Sequence, residues 1–421
     1  MFMITNKYPI GFWNYTKTGD LTPDAVRDWA ELGMTMANSP EYWEGCDKNA
    51  MLAILDECEK YGIRVIVCDH RARWGGASSD PAAYEAQFRA AYEDFGHHPA
   101  VIGFHVGDEP WSEETFADCI MAHKIQRKVA PELTPHLNFL PYWDNQEADL
   151  VKRIPGGAEK NLPASFTAWA EEMVRQSDLR ILCYDCYVQM NPEGEGVDQY
   201  FKNLRKFSEA ADATGIVPWT TLLSVGHFRY RCPNEDDLRW QLNTAIASGM
   251  KGILWFFVYM RRPTSNYRLA PIDEFGERTE TYTWMSRVNR HFQHQFGDFF
   301  MAAKHIATYH VGHTWGGYEA FVPGQSEPAI LDITCDHGLD AVAGIFERNG
   351  ERYLALVNNT WTDSGLFKIH VKKDGRLDRM TWDGDFVAVK AAHWDAFYTE
   401  TDDACIGGDW LAPGQMKVYR I

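Results

Sequence analysis

Residues 101–111, VIGFHVGDEPW, form an apolar run that ends abruptly in two carboxylates and a proline. Val, Ile and Phe favour an extended strand, and Pro110 cannot donate to a strand ladder. Residues 112–129 follow at once as an amphipathic helical segment, opened by Ser112-Glu113-Glu114. Acidic residues suit the positive end of the helix dipole. A strand feeding directly into a helix is the repeating unit of a parallel sheet.

The same unit recurs on both sides of this stretch. Similar apolar runs lie at 8–15, 34–38, 64–69, 134–140, 180–188, 218–225 and 251–259, which with 101–106 makes eight. Helical segments separate them. One opens at Thr22-Pro23-Asp24, and others cover 49–61, 81–95, 165–175, 197–214 and 235–248, with a further one over 279–300. Gly62 and Gly96 stand where helix C-caps belong. Eight β/α units in about the usual ~250 residues predict a closed (β/α)8 TIM barrel. A doubly wound open sheet would carry a glycine-rich turn after its first strand, and Asn14-Tyr15-Thr16-Lys17-Thr18-Gly19-Asp20 has none. Beyond about residue 303 short alternating runs are separated by Asn349-Gly350, Asp374-Gly375 and Asp383-Gly384. That texture predicts a small antiparallel β-sandwich. The expected domains are a barrel over 1–303 and an accessory sandwich over 304–421.

Composition narrows the function classes. The 421 residues carry 41 basic and 59 acidic side chains, a net charge of −18, which speaks against a general nucleic-acid binder. No apolar run approaches the ~20 residues of a membrane span. Nine cysteines, including the Cys183/Cys186 pair inside a strand-like run, read as reduced thiols. The N-terminus lacks the pattern of a signal peptide, so a cytoplasmic location is expected unless a leader was trimmed. Aromatic residues reach 14%, with 16 Trp, and large aromatic faces suit stacking on sugar rings as well as core packing.

In this barrel class the working residues stand at the C-terminal ends of the strands. Those ends supply Trp13 and Asn14, Asn38, Asp69, His105 with Asp108 and Glu109, Asn138 with Tyr142 and Trp143, Asp185 with Tyr187, His227, and Trp255. Such a rim suits a polyhydroxylated ligand, with the aromatics stacking and the polar groups meeting hydroxyls. Glu109 follows its strand directly, beside Asp108 and Trp111. An apolar wall and a like charge raise a carboxyl pKa toward that of a general acid. The competing role for Asp108 or Glu109 is to cap the helix that follows. Asp69, in Asp-His-Arg, is equally an ion-paired cluster.

The chain resembles the (β/α)8 glycoside hydrolases of the clan that includes β-galactosidases and many cellulases. The likeness is carried by residues 103–110, 138–141, Asp185-Cys186-Tyr187 and 239–257. The tail around 411–415 resembles the β domains that follow such barrels. The resemblance implies an acid/base glutamate at the end of the fourth strand, which falls on Glu109, with Asp108 where the clan normally has Asn. It also implies a nucleophilic glutamate at the end of the seventh strand. Here that position reads Leu222-Leu223-Ser224-Val225-Gly226-His227-Phe228, without a carboxylate. Asp185 is the preferred substitute, two strands from Glu109. Its shorter side chain favours a wide gap and water activation, hence an inverting or otherwise atypical mechanism.

Hydrolysis of a glycosidic bond in an oligo- or polysaccharide, needing no cofactor, is therefore the expected function. The alternatives are a metal-dependent barrel enzyme and a non-catalytic carbohydrate-binding barrel. Asp69, His105, Asp108, Glu109, His136, Asp185 and His227 are the groups that a divalent metal would recruit, but no pair has HxH or HExxH spacing, and no metal is expected.

Overall fold

The computed structural model describes residues 5–262, 266–392 and 397–421. Eight parallel strands form one sheet, in the order β1-β8-β7-β6-β5-β4-β3-β2. They are β1 (Ile10–Phe12), β2 (Met36–Asn38), β3 (Arg64–Val67), β4 (Val101–Asp108), β5 (His136–Phe139), β6 (Ile181–Asp185), β7 (Val217–Leu223) and β8 (Ile253–Phe256). The sheet closes through Thr35. Its N–H donates to Ile10 O at 2.9 Å, and its Oγ1 accepts from Ile10 N at 2.9 Å. Gly11 sits at this seam, where a Cβ would stand 2.7 Å from Met36 Cγ and 2.8 Å from Leu254 Cδ2. Only a residue without a side chain lets three strands approach so closely.

The architecture is a TIM barrel followed by a β-sandwich. Helices alternate with the strands: α1 (Ala25–Glu31), α2 (Lys48–Tyr61), α3 (Pro81–Ala91), α4 (Glu113–Val129), α5 (Glu147–Arg153), α6 (Phe166–Ser177), α7 (Val197–Thr214), α8 (Glu235–Ala247) and α9 (Glu280–Phe292). The seven-residue α5 has no counterpart in the sequence reading, because about two largely polar turns carry too short a pattern to register. The chain divides into two compact units. The first runs to Tyr187 and resumes over Lys206–Cys232 and Gly252–Ser286, so it holds all eight barrel strands. The second comprises Val188–Arg205, Pro233–Lys251 and Arg287–Ile421.

The second unit contains a seven-stranded and a four-stranded sheet. The strands of the smaller one pair antiparallel. Its strand β9 (Gly365–Lys372) alternates buried and half-buried positions from Gly365 to Val371, the signature of one face packed and one wet. Phe367, Ile369 and Val371 point into a core shared with Ile345, Leu354, Leu356 and Tyr419. All nine cysteines are free thiols. Among the described residues no helix is long and apolar enough to cross a membrane.

Candidate active site

The fourth strand is built to present its last residues. Its pairing with β5 shifts register between His105 and Gly107, a bulge that leaves Val106 as the extra residue. The Val106 carbonyl is taken up by Trp74 N at 2.9 Å. Gly107 has φ +156°, and a Cβ there would enter the Trp74 indole, 2.3 Å from the nearest ring carbon. The bulge sets Asp108 opposite Asn138. One residue on, Glu109 N donates to Asn138 O at 2.9 Å while its own φ is +52°. A non-glycine residue in that region costs on the order of 1–3 kcal/mol and persists where its surroundings enforce it.

Neither carboxylate caps the next helix. Ser112 is the N-cap of α4, its Oγ accepting from Thr115 N at 3.1 Å, and Thr115 Oγ1 accepts in return from Ser112 N at 2.9 Å. Asp108 and Glu109 are thereby left to the barrel mouth. Trp111, expected as an apolar wall, instead stands largely in solvent.

Asn138 organises the acidic cluster. Its Nδ2 donates to Asp108 Oδ1 at 2.9 Å and to Asp185 Oδ1 at 2.7 Å. Cys183 Sγ donates to its Oδ1 at 3.4 Å. Asp185 also receives a hydrogen bond from Tyr187 and is hydrogen-bonded to Glu109. The wide Glu109–Asp185 gap expected from the sequence is therefore corrected. The side chains touch, because neighbouring strands of the barrel and the bulge bring the ends of β4 and β6 together over β5. Burial, then the charges of Glu109 and Asp108, holds the Asp185 carboxyl well above the usual carboxylate range. Glu109 is raised by burial and by the Asp108 charge, against the hydrogen bond from Asp185. Asp108 is reached by solvent yet recessed; the burial penalty raises it, while Asn138 and the positive charge of Arg73 pull it down. Two carboxyls in contact titrate as a pair, and the proton they retain belongs to both.

Around this cluster the mouth is aromatic. Tyr187 stacks on Phe256 with centroids 5.0 Å apart, and Tyr15 meets Phe256 and Phe257 edge-on. The peptide bond joining Phe256 and Phe257 is cis. His227 stacks on Tyr267 at 4.9 Å, and the Arg261 guanidinium lies 3.7 Å from the centre of the Tyr15 ring. Tyr15, Phe256, Arg261 and Tyr267 were not singled out in the sequence. The available signal was their position at strand ends or in the loop after β8, where this fold places its sites.

Several expected rim residues are placed elsewhere. Trp255 is fully buried within β8, and Trp13 is 6% exposed, donating Nε1–H to Thr221 Oγ1 at 3.3 Å. Tyr142 is buried with its hydroxyl on Glu147. None of these three offers a free face to a sugar, because core packing claims large aromatics first. Trp143, by contrast, is 40% exposed. Asp69 is buried and engaged by Arg71, 2.7 Å from its Nη2, which makes it the ion-paired cluster and not a ligand group. Asn14 accepts from Thr16 N and Oγ1 in a local turn. Asn38 is wholly buried, its amide atoms lacking a hydrogen-bond partner among the described residues. His105 and His136 form a buried pair, Nδ1 to Nδ1 3.2 Å, both depressed by burial and His136 to about 3. Among the described residues no group of three or more His, Cys, Asp or Glu is arranged to hold a metal ion. At the end of β7, Ser224 Oγ donates to Phe257 O at 2.8 Å.

No protein-family model matches the chain. No curated protein matches it. Solved structures do. A family 39 glycoside hydrolase from the gut symbiont Bacteroides cellulosilyticus aligns over 98% of this chain and 81% of its own, with TM-score 0.52 and 12% identity. A β-galactosidase from the psychrophilic Marinomonas ef1 aligns over 67% of this chain at TM-score 0.49 and 10% identity, and this chain spans 59% of its length. A family 1 β-glucosidase from Thermotoga maritima aligns over 63% of this chain and 85% of its own, at TM-score 0.44 and 11% identity. The fold is that of the (β/α)8 glycoside hydrolases, and the first of these structures carries that statement.

Proposed function

We propose that the chain hydrolyses a glycosidic bond of an oligo- or polysaccharide, with Glu109 giving the proton to the leaving oxygen. The observation that carries this reading is the Glu109–Asp185 contact at the mouth of a barrel of this fold. A sugar alkoxide leaves poorly unless it is protonated, so the reaction needs a carboxylic acid still protonated near neutral pH. The pair meets that need, because ionising both members would set two negative charges in contact inside a partly dry site. Asp185 acts as the reserve: burial favours its neutral form, and it can return a proton to Glu109 across their hydrogen bond.

Asp185 touches the acid, so it stands on the acid's side of the scissile bond. The attacking water enters from elsewhere in the mouth and adds its oxygen to the anomeric carbon as the bond to the protonated leaving oxygen breaks; its proton passes to solvent, from which the pair is reprotonated. Asp108 and Asn138 are the hydroxyl partners in this reading. Tyr15, Tyr187 and Trp143 are its stacking or hydrogen-bonding rings. A second reading, a barrel that binds sugar without cleaving it, is favoured by one feature: among the described residues the ends of β7 and β8 carry no carboxylate.

The test is a panel of chromogenic glycosides and polysaccharides assayed with wild type and Glu109→Gln. Turnover in the variant is expected to fall at least ~100-fold, the scale of general acid catalysis, with thermal stability retained. Near-normal turnover in the variant removes Glu109 from the chemistry. Saturable sugar binding with no turnover on any substrate refutes hydrolysis in favour of the binding barrel.

A further inference from the structure

The second unit carries a mainly apolar cleft with polar groups along one wall, which the proposed hydrolysis does not use. It encloses about 240 Å³ and is lined by Glu235, Arg239 and Asn243 of α8, Arg287 of α9, Trp382 and Gln415 among others. That volume is below the ~300–1,000 Å³ of pockets for drug-sized ligands, and so suits a single ring of a longer chain.

Its most informative residue is Trp382. The indole stands at the tip of a hairpin between β10 (Asp378–Met380) and β11 (Phe386–Ala388), closed by Thr381 N on Asp385 O at 2.7 Å. It is 56% exposed, so it adds little to any core. Yet the tip is held firmly. Gln295 Nε2 donates to Thr381 O at 3.0 Å, and His294 Nε2 is 3.2 Å from Asp383 Oδ1. The His291 and His294 rings lie 4.7 and 5.0 Å from the indole. His294 and Gln295 come from a single π-helical turn, Gln293–Gly297, an element that recurs at functional sites. A large apolar surface fixed in water beside planar polar groups is a stacking platform with hydrogen-bonding walls. Arg287 Nη2 pairs with Glu235 Oε2 at 2.8 Å and Arg239 pairs with Asp236, so both cations of that wall are balanced, and guanidinium donors are left to spare.

We infer that this cleft is a second carbohydrate site, which takes one neutral pyranose ring of a polysaccharide against Trp382. The balanced Arg287–Glu235 pair sets a neutral sugar above an anionic one. The inference does not rest on the barrel being catalytic.

The test is affinity gel electrophoresis of the full chain through β-glucan, xylan, galactomannan and polygalacturonate. It is run in wild type, Trp382→Ala, Trp382→Phe and Glu109→Gln. Wild type and Glu109→Gln are expected to be retarded by at least one neutral polysaccharide. Trp382→Ala should bind at least ~10-fold more weakly, the scale of losing one ring-on-aromatic stack, and Trp382→Phe should recover part of the loss. Equal retardation of Trp382→Ala and wild type overturns the inference. So does the absence of retardation in every neutral gel, or retardation by polygalacturonate alone. Loss of retardation in Glu109→Gln with Trp382→Ala unaffected assigns the binding to the barrel mouth and also overturns it. An unchanged melting temperature for Trp382→Ala confirms that the variant is folded.

Discussion

Replacing Asn138 by Ala removes the one side chain that bridges Asp108 and Asp185. Three side-chain hydrogen bonds are lost, two donated by Nδ2 at 2.9 and 2.7 Å and a weaker one from Cys183 Sγ at 3.4 Å, from a residue 1% exposed. The bond to Asp108, which solvent reaches, is counted at the low end of the net range, about 0.5–1 kcal/mol; the bond to the less accessible Asp185 counts about 1–1.5 kcal/mol. With the trimmed amide's own packing the loss is about 2–3 kcal/mol near pH 5. The cost then depends on pH. Both aspartates have folded-state pKa values above their ordinary ones, so each favours the folded state fully at low pH and loses that contribution as pH rises through its folded value. Asn138 holds both values down. Without it they climb further, and the destabilisation grows from pH 5 to pH 8. Urea denaturation of wild type and variant at the two pH values reads this directly. A loss under about 1 kcal/mol, or one of equal size at both pH values, refutes the account of Asn138 as the group that steadies the charged cluster.

The aromatic assignments separate by stability. Trp255→Ala, at a fully buried position, should cost about 3–5 kcal/mol by denaturant melts, while Trp143→Ala should leave the melting temperature within a few degrees and weaken sugar binding in titration calorimetry. Gly107→Ala places a methyl group into the Trp74 ring at a positive φ, so a loss of at least ~1–3 kcal/mol is expected, with turnover falling because the turn presenting Glu109 shifts. A Gly107→Ala chain with unaltered stability contradicts the described approach of Trp74.

The barrel was legible from residue order alone because its signals are local. Short apolar runs, Pro and Ser at helix starts, and glycine at helix ends act within a few residues. Strand ends, and hence Asp108, Glu109, Asn138 and Asp185 as a shortlist, follow from the fold rule without coordinates. The hairpin tip at Asp383-Gly384 was equally readable as a turn. What residue order could not contain is distance across the barrel. The contact of Glu109 with Asp185 depends on the bulge at Val106 and on Asn138 standing between β4 and β6, a product of strand stagger that no spacing in the chain records. The fate of each aromatic was undecidable for the same reason. Trp13 and Trp255 go to the interior while Tyr15 and Tyr187 border the mouth, because closure of the barrel and a ring's depth along its axis, not residue order, decide which rings the core takes up. Local chemistry selects the strands and the candidates; only closure of the barrel decides which carboxyls share a proton.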